Sequence, residues 1–487
     1  MNIETVICNG QVIDGTGGPP FAADLGLAGD RIVAIGEIAP APGQAVIDAA
    51  GKVVAPGFID VHTHDDRALL AAPEMAMKVS QGVTTVIVGN CGIGLAPLRL
   101  DGPPPAPLDL LGDRADFRYP SFAVYLDALD RQPAAVNAAC LVGHTTLRVG
   151  AMDRLDRAAT ADEIVAMRRD LGEALAAGAI GLSTGLAYPP AESAPTSEVI
   201  ALAELLKAAG AIHTTHMRNE SEQVLEALDE TFAIGRAAGV PVVVSHHKTA
   251  GRANFGRSRE TLKKIDRAMA SQPVGLDAYP YAASSTVLDP VWIDEAARVL
   301  ITWSKGAPAE AGRDLADIAR DWGVTPRAAA ERLQPAGAIY FSMDEADVRR
   351  ILSFPQTMIG SDGLPHDTHP HPRLWGTFPR VLGRYCRDEK LFALEEAVRR
   401  MTGLPAQQFG LANRGLVAVG AYADIVLFDP DAVIDRATFE APTTPAAGIA
   451  LVMVNGQAVW RDGASTGARP GRTLRRQSLQ AEAARTS

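Results

Sequence analysis

The ten histidines of this 487-residue chain are unevenly placed. Pro56-Gly57-Phe58-Ile59-Asp60-Val61-His62-Thr63-His64-Asp65-Asp66 joins a short apolar run to two histidines two positions apart. Alternate side chains of an extended strand share a face, so His62 and His64 point the same way. Paired imidazoles at the end of a buried strand are a means of gripping a metal ion. Three more stretches carry compatible donors: Cys91 in the glycine-lined Asn90-Cys91-Gly92-Ile93-Gly94, His216, and His246 in His246-His247-Lys248. Asp362, in Ile359-Gly360-Ser361-Asp362-Gly363, adds a carboxylate. Nitrogen, thiolate and carboxylate together suit Zn²⁺ better than Mg²⁺ or Ca²⁺. His62, His64, Cys91, His216, His246 and Asp362 are more ligands than one tetrahedral ion uses. Either two sites of unequal strength share Cys91, or one full site stands beside a vestigial one. Asp362 next to a metal-activated water is placed to take its proton and later deliver it to a leaving amine. The other histidines read as structural: His247 faces away from His246, His144 and His213 lean the same way, and His366, His369 and His371, in a Pro-rich loop after Asp362, shape the mouth.

These residues need a scaffold that brings distant positions to one place. Eight apolar strands are expected, at 58–62, 83–90, 138–143, 179–183, 211–216, 240–246, 274–279 and 357–362. Ala/Leu/Glu/Arg-rich helical stretches such as 161–177, 197–209, 221–238 and 259–270 lie between them. That alternation implies parallel βαβ units, and eight of them imply an α/β fold of the closed (β/α)₈ type. Active sites of such barrels sit at the carboxyl ends of the strands, where six of the ten histidines fall. The barrel is expected over 58–414, with an insertion at about 287–338 near its mouth. Residues 1–57 and 415–487 read instead as short strands with turns such as Asn9-Gly10 and Asn455-Gly456, too few at either end for a core alone. They are expected to combine into one small β-sandwich domain.

Composition narrows the partners. A formal charge of −11 and a pI of about 5.5, without a basic cluster, argue against nucleic acid. No apolar run is long enough to span a bilayer, and the start lacks the cationic and apolar parts of a secretory signal. Four scattered cysteines, Cys8, Cys91, Cys140 and Cys386, suit reduced thiols, so a cytoplasmic protein is expected. Oligomeric state is not readable from these features.

The stretches at 56–66, 89–94, 181–190, 216–220, 245–248, 360–366 and 371–380 resemble the amidohydrolase superfamily, and more narrowly the D-aminoacylase (N-acyl-D-amino-acid deacylase) family. The resemblance implies a barrel flanked by a small β-sandwich built from both termini. It also implies a tight zinc on Cys91, His216 and His246, with a weaker second site on His62, His64, Cys91 and Asp362. Many relatives of the superfamily bridge two metals with a carboxylated lysine on strand four; here that strand ends Leu182-Ser183-Thr184, and Cys91 takes the bridging place. Lys248, Tyr279 and Arg373 would hold the substrate's α-carboxylate, a task to which an Arg and a Lys are suited. Tyr188 would donate to the scissile carbonyl.

The implied reaction is hydrolysis of an N-acyl-D-amino acid to a carboxylate and a free D-amino acid, with Asp362 moving the protons. Residues 284–293 are expected to approach the substrate's side chain. They offer Val287, Leu288, Val291 and Trp292 with Asp289 and no Lys or Arg, which favours neutral or hydrophobic D-amino acids. Arg298, just beyond, would favour acidic ones, so an N-acyl-D-glutamate or N-acyl-D-aspartate deacylase is the alternative. A cyclic-amide or dipeptide hydrolase is another. A non-catalytic scaffold would be marked by lost ligands, and here the set is intact.

Overall fold

A computed structural model describes residues 3–486. Eight parallel strands form one sheet: β1 (Phe58–Asp60), β2 (Val83–Val88), β3 (Asn137–Gly143), β4 (Gly181–Gly185), β5 (Ile212–His216), β6 (Val242–Val244), β7 (Val274–Ala278) and β8 (Thr357–Ile359). Each pairs with its neighbour in sequence order. The ring closes just beyond the strand ends, where Thr63 bridges Gly363 in parallel and the Asp362 amide donates to the His62 carbonyl at 2.8 Å. The segments that close the (β/α)₈ barrel are thus the ones that carry His62, His64 and Asp362.

The strands are buried on both faces, as parallel strands covered by helices must be. Alternation decides which residue looks inward. Val243 joins Ile59, Ile87, Ala139, Leu141, Ile212 and Met358 in an apolar cluster drawn from around the ring. Val242 and Val244, on either side of it, pack into the larger core that includes the surrounding helices. Those helices have local signals for their ends. Ala161–Ala177 opens on a capping box between Thr160 and Glu163 and stops at Gly178. Ser258–Met269 buries Ser258, Thr261, Leu262, Ile265 and Ala268, the three- and four-residue spacing of one helical face.

Both ends of the chain meet in a β-rich unit. A four-stranded sheet runs in the order Arg31–Gly36, Asp24–Ala28, Thr5–Cys8, Ala45–Asp48. In a seven-stranded sheet Val53–Pro56 pairs antiparallel with Ile425–Phe428, placing Val54 opposite Leu427. Ile7, Leu25 and Leu27 of the first sheet share a core with Val54, Ile425, Leu427 and Met453 of the second. After β7 an antiparallel sheet, Ser284–Val287, Ala336–Tyr340 and Val299–Ser304, carries two helices, Leu315–Trp322 and Pro326–Leu333. It has an apolar cluster of its own around Ile301, Ile318 and Leu333. Among the described residues no helix is long and apolar enough to cross a membrane.

Candidate metal centre

His216 is the last residue of β5, but the other candidate ligands stand past the strand ends. β6 stops at Val244 and β8 at Ile359, two residues before His246 and three before Asp362. The cause is local: Cys91 (φ 53°), His246 (φ 34°) and Asp362 (φ 50°) have left-handed backbones, which end an extended ladder. Such a residue costs about 1–3 kcal/mol and persists where its surroundings hold it. Here the His246 amide donates to Asp277 Oδ1 at 2.8 Å, and the Ser361 amide to Asp60 Oδ1 at 2.8 Å. Asp60 is itself anchored by the fully buried Lys78, whose Nζ lies 2.8 Å away.

All six residues come together, in two groups that share one atom. Cys91, His216 and His246 form the first group; His62, His64, Cys91 and Asp362 form the second; within each, the donor atoms lie within 4.8 Å of one another. In the first, Cys91 Sγ is 3.3 Å from His246 Nε2, which is 3.1 Å from His216 Nδ1. In the second, His62 Nε2 is 3.2 Å from Cys91 Sγ and 3.5 Å from Asp362 Oδ1, while His64 Nε2 is 3.2 Å from that same oxygen. A tetrahedral ion bound at zinc–ligand lengths sets its donors roughly 3.3–3.8 Å apart, and the separations of 3.1 to 3.5 Å here lie within a few tenths of an ångström of that range.

The electrostatics fit as well. Burial alone would push the Cys91 thiol up, but the charges of His62 and His246 outweigh it and hold it well below its ordinary range. Burial would lower His64, yet Asp362 and Cys91 raise it to about 9; His62 is raised well above its usual value by Cys91, Asp277 and Asp362. The same surroundings that favour positive charge on these imidazoles favour a bound cation.

Two residues that sequence reasoning missed set the imidazoles. Glu220 Oε1 lies 3.0 Å from His246 Nδ1, and Oε2 lies 3.4 Å from His216 Nε2. Asp277 Oδ1 lies 3.3 Å from His62 Nδ1. A proton kept on the outer nitrogen leaves the inner one, Nε2 of His62 and His246 and Nδ1 of His216, free for a metal. Lys248 Nζ donates to both Glu220 oxygens at 2.7 Å and stands 2.8 Å from His246 Nδ1. Burial would raise Glu220, but Lys248, His216 and His246 hold it far below its ordinary value. Asp277 had a usable signal, an acid inside the otherwise apolar strand β7. Glu220 follows His216 by four residues in a loop, where that spacing carries no contact rule. Glu220→Gln is expected to weaken metal binding by ~10–100-fold, measured by chelator competition; unchanged affinity would remove Glu220 from this role.

A cavity of about 300 Å³ opens on this centre. His64, His216, His246, Lys248, Glu220, Asp362 and Tyr188 line it, with Leu110, Leu364, Val291, Trp292 and Tyr340 as apolar wall. Tyr188 packs edge-on against His216, and its hydroxyl meets Thr286 Oγ1 at 2.9 Å. Burial, then Cys91, pushes that phenol well above its usual pKa, so it keeps its proton. Tyr279 and Arg373 lie behind the wall. The Arg373 guanidinium stacks 4.5 Å from the Tyr279 ring, ion-pairs with Asp362 Oδ2 at 2.9 Å and donates to the Ser285 carbonyl at 3.0 Å. Among the described residues, the Tyr279 hydroxyl, the Ser285 hydroxyl and Arg373 Nε are buried without a hydrogen-bond partner. Burial would raise the Asp362 carboxyl, but Arg373, His62 and His246 hold it well below the usual carboxylate range.

Two expectations about the mouth need correction. Leu288 packs in the inserted sheet's core and Val287 in the main core, so neither lines the cavity; Val291 and Trp292 do line it. Arg298 pairs with Asp314 at 2.6 Å and packs over Phe341, away from the cavity. The remaining histidines have partners of their own: His144 on Glu198, His213 on Thr184, His247 on Thr261, His366 on Arg67, His369 on the Phe439 carbonyl and His371 on the Arg373 amide.

The amidohydrolase family model matches residues 45–276 and 270–460. A D-aminoacylase from Alcaligenes xylosoxydans xylosoxydans is 57% identical over 97% of this chain and 98% of its own. A D-aminoacylase crystal structure superimposes with a TM-score of 0.95 at 57% identity, covering 97% of this chain and 100% of that one. An N-acyl-D-glutamate deacylase from Bordetella bronchiseptica, solved with zinc and a phosphonate mimic of the tetrahedral intermediate, gives 0.94 at 50% identity over 98% of this chain and 100% of its own. With two donor groups meeting at one cysteine on a closed barrel, and with relatives this near over the whole length, the chain belongs to the amidohydrolase family and, within it, to the D-aminoacylases.

Proposed function

We propose that the chain hydrolyses N-acyl-D-amino acids to a carboxylate and a free D-amino acid. Zinc is held tightly by Cys91, His216 and His246, with a weaker second site on His62, His64, Cys91 and Asp362. The observation that carries this reading is the single thiolate common to both donor groups. Bound zinc supplies a Lewis acid for the amide carbonyl and acidifies water. Asp362, adjoining both groups, takes the water's proton and returns it to the leaving amine. Lys248, Tyr279 and Arg373 bind the α-carboxylate, which finds the unpartnered Tyr279 hydroxyl and Arg373 Nε as donors. Drawing Arg373 towards the substrate removes a cation from Asp362 and raises its basicity when a proton must be taken. The Tyr188 hydroxyl, released from Thr286, donates to the developing oxyanion. The domain division 1–57 with 415–487 against 58–414, with 287–338 inserted, and a cytoplasmic protein without nucleic-acid partners belong to the same reading.

Neutral or hydrophobic side chains suit the cavity best. Its wall is Leu110, Leu364, Val291, Trp292 and Tyr340, and Glu192 and Glu295 face it too. Of its two long cations, Lys248 is assigned to the α-carboxylate and Arg218 is engaged by Glu230 at 2.8 Å. A carboxylate on the side chain would meet like charge, which costs several kcal/mol. N-acetyl-D-leucine and N-acetyl-D-methionine are expected to exceed the D-aspartate and D-glutamate derivatives in kcat/KM by at least ~100-fold. Preference for the acidic pair would overturn this. Cleavage of hydantoins or dihydropyrimidines at comparable rates would instead indicate a cyclic-amide hydrolase.

A further inference from the structure

Cys91 reaches both donor groups only because its turn has an uncommon backbone. Gly89, Cys91 and Gly92 all have positive φ, at 80°, 53° and 76°. A Cβ on Gly89 would stand 2.2 Å from the Leu141 carbonyl oxygen, and one on Gly92 would stand 2.7 Å from the Gly185 amide nitrogen. The two glycines take positive φ freely, but Cys91 needs outside support to persist. Asn90 ties the turn back to β2 through the Ile87 carbonyl at 2.9 Å, but that bond does not span Cys91. Ser183, fully buried on β4, does: its hydroxyl donates to the Gly89 carbonyl and accepts from the Gly92 amide at 3.0 Å. One side chain thus joins the residue two before Cys91 to the residue just after it.

We propose that Ser183 is a positioning residue for the metal centre. Its hydroxyl clamps the 89–92 turn so that the Cys91 thiolate stands between His62 and His246, 3.2 and 3.3 Å from their Nε2 atoms. Ser183 touches neither donor group, and its role rests on the reading of Cys91 as a metal ligand. Removing the hydroxyl strips two buried backbone groups of their partner and lets Cys91 relax towards ordinary φ values, which carries Sγ off the shared position.

The test uses the full chain loaded with Co²⁺, whose thiolate coordination gives an intense charge-transfer absorption. Absence of that band in the unaltered protein would reject Cys91 as ligand, separately from the clamp. With the band present, Ser183→Ala is expected to weaken or shift it and to lower Co²⁺ and Zn²⁺ affinity by ~10–100-fold, as lost outer contacts do. The metal-free melting temperature should move by no more than a few degrees, and kcat should fall with KM nearly constant. Ser183→Thr, which keeps the hydroxyl, should restore band and affinity. An unchanged band and affinity in Ser183→Ala overturns the proposal. So does loss of cooperative melting in metal-free Ser183→Ala, or failure of Ser183→Thr to recover the signal.

Discussion

Asp362→Asn is expected to lose turnover by ~10²–10⁴-fold, the share that a positioned acid–base group contributes, while the chain keeps its tight metal. Asparagine matches the carboxylate in shape and still reaches His64, so the closure of the barrel at 62–63 and 362–363 should survive. It cannot carry a proton from water to amine. The substitution has a second consequence. Arg373 is fully buried and its guanidinium faces Asp362 Oδ2 at 2.9 Å, so neutralising Asp362 leaves a buried cation without its counter-charge. Breaking such a pair costs roughly 3–5 kcal/mol, so a lower melting temperature should accompany the lost activity. Substrate, by bringing its own carboxylate to Arg373, should restore part of that stability. Steady-state kinetics with thermal melts in the presence and absence of a slow substrate check both. Turnover near that of the unaltered protein would remove Asp362 from the chemistry.

Cys91→Ala should be the more severe loss for metal. The thiolate is the one donor common to both groups, so its removal opens the two together. The expected result is zinc content near zero after dialysis and activity at background, a larger drop than the ~10–100-fold of an outer contact such as Glu220. His64→Asn provides the contrast, because His64 belongs to one group only and lies 3.2 Å from Asp362. It should retain about one zinc per chain while any second metal is lost. Elemental analysis alongside activity separates the two variants. A Cys91→Ala protein with full zinc and full turnover would show that the thiolate is not the hub that its position indicates.

Much of the scaffold was legible because its signals are local. Apolar runs such as Val83–Val88 and Val242–Val244 alternate with amphipathic stretches, and strand-helix alternation of that length admits few topologies. The candidate ligands were legible for a related reason: a barrel gathers its strand ends at one face, so residue type and place in the repeat suffice to find them. Tertiary structure decided what depends on approach between distant segments. It chose Nδ1 of His216 but Nε2 of His246, because Glu220 stands outside both rings. It placed Arg373 on Asp362, 11 residues away along a loop, and turned Val287 and Leu288 away from the cavity. It also brought Ser183 to Gly89, across 94 positions of chain. Residue types along the chain determined which chemistry was available here. Which atom serves that chemistry, and which neighbour holds it still, follows from packing between segments whose meeting no local pattern encodes.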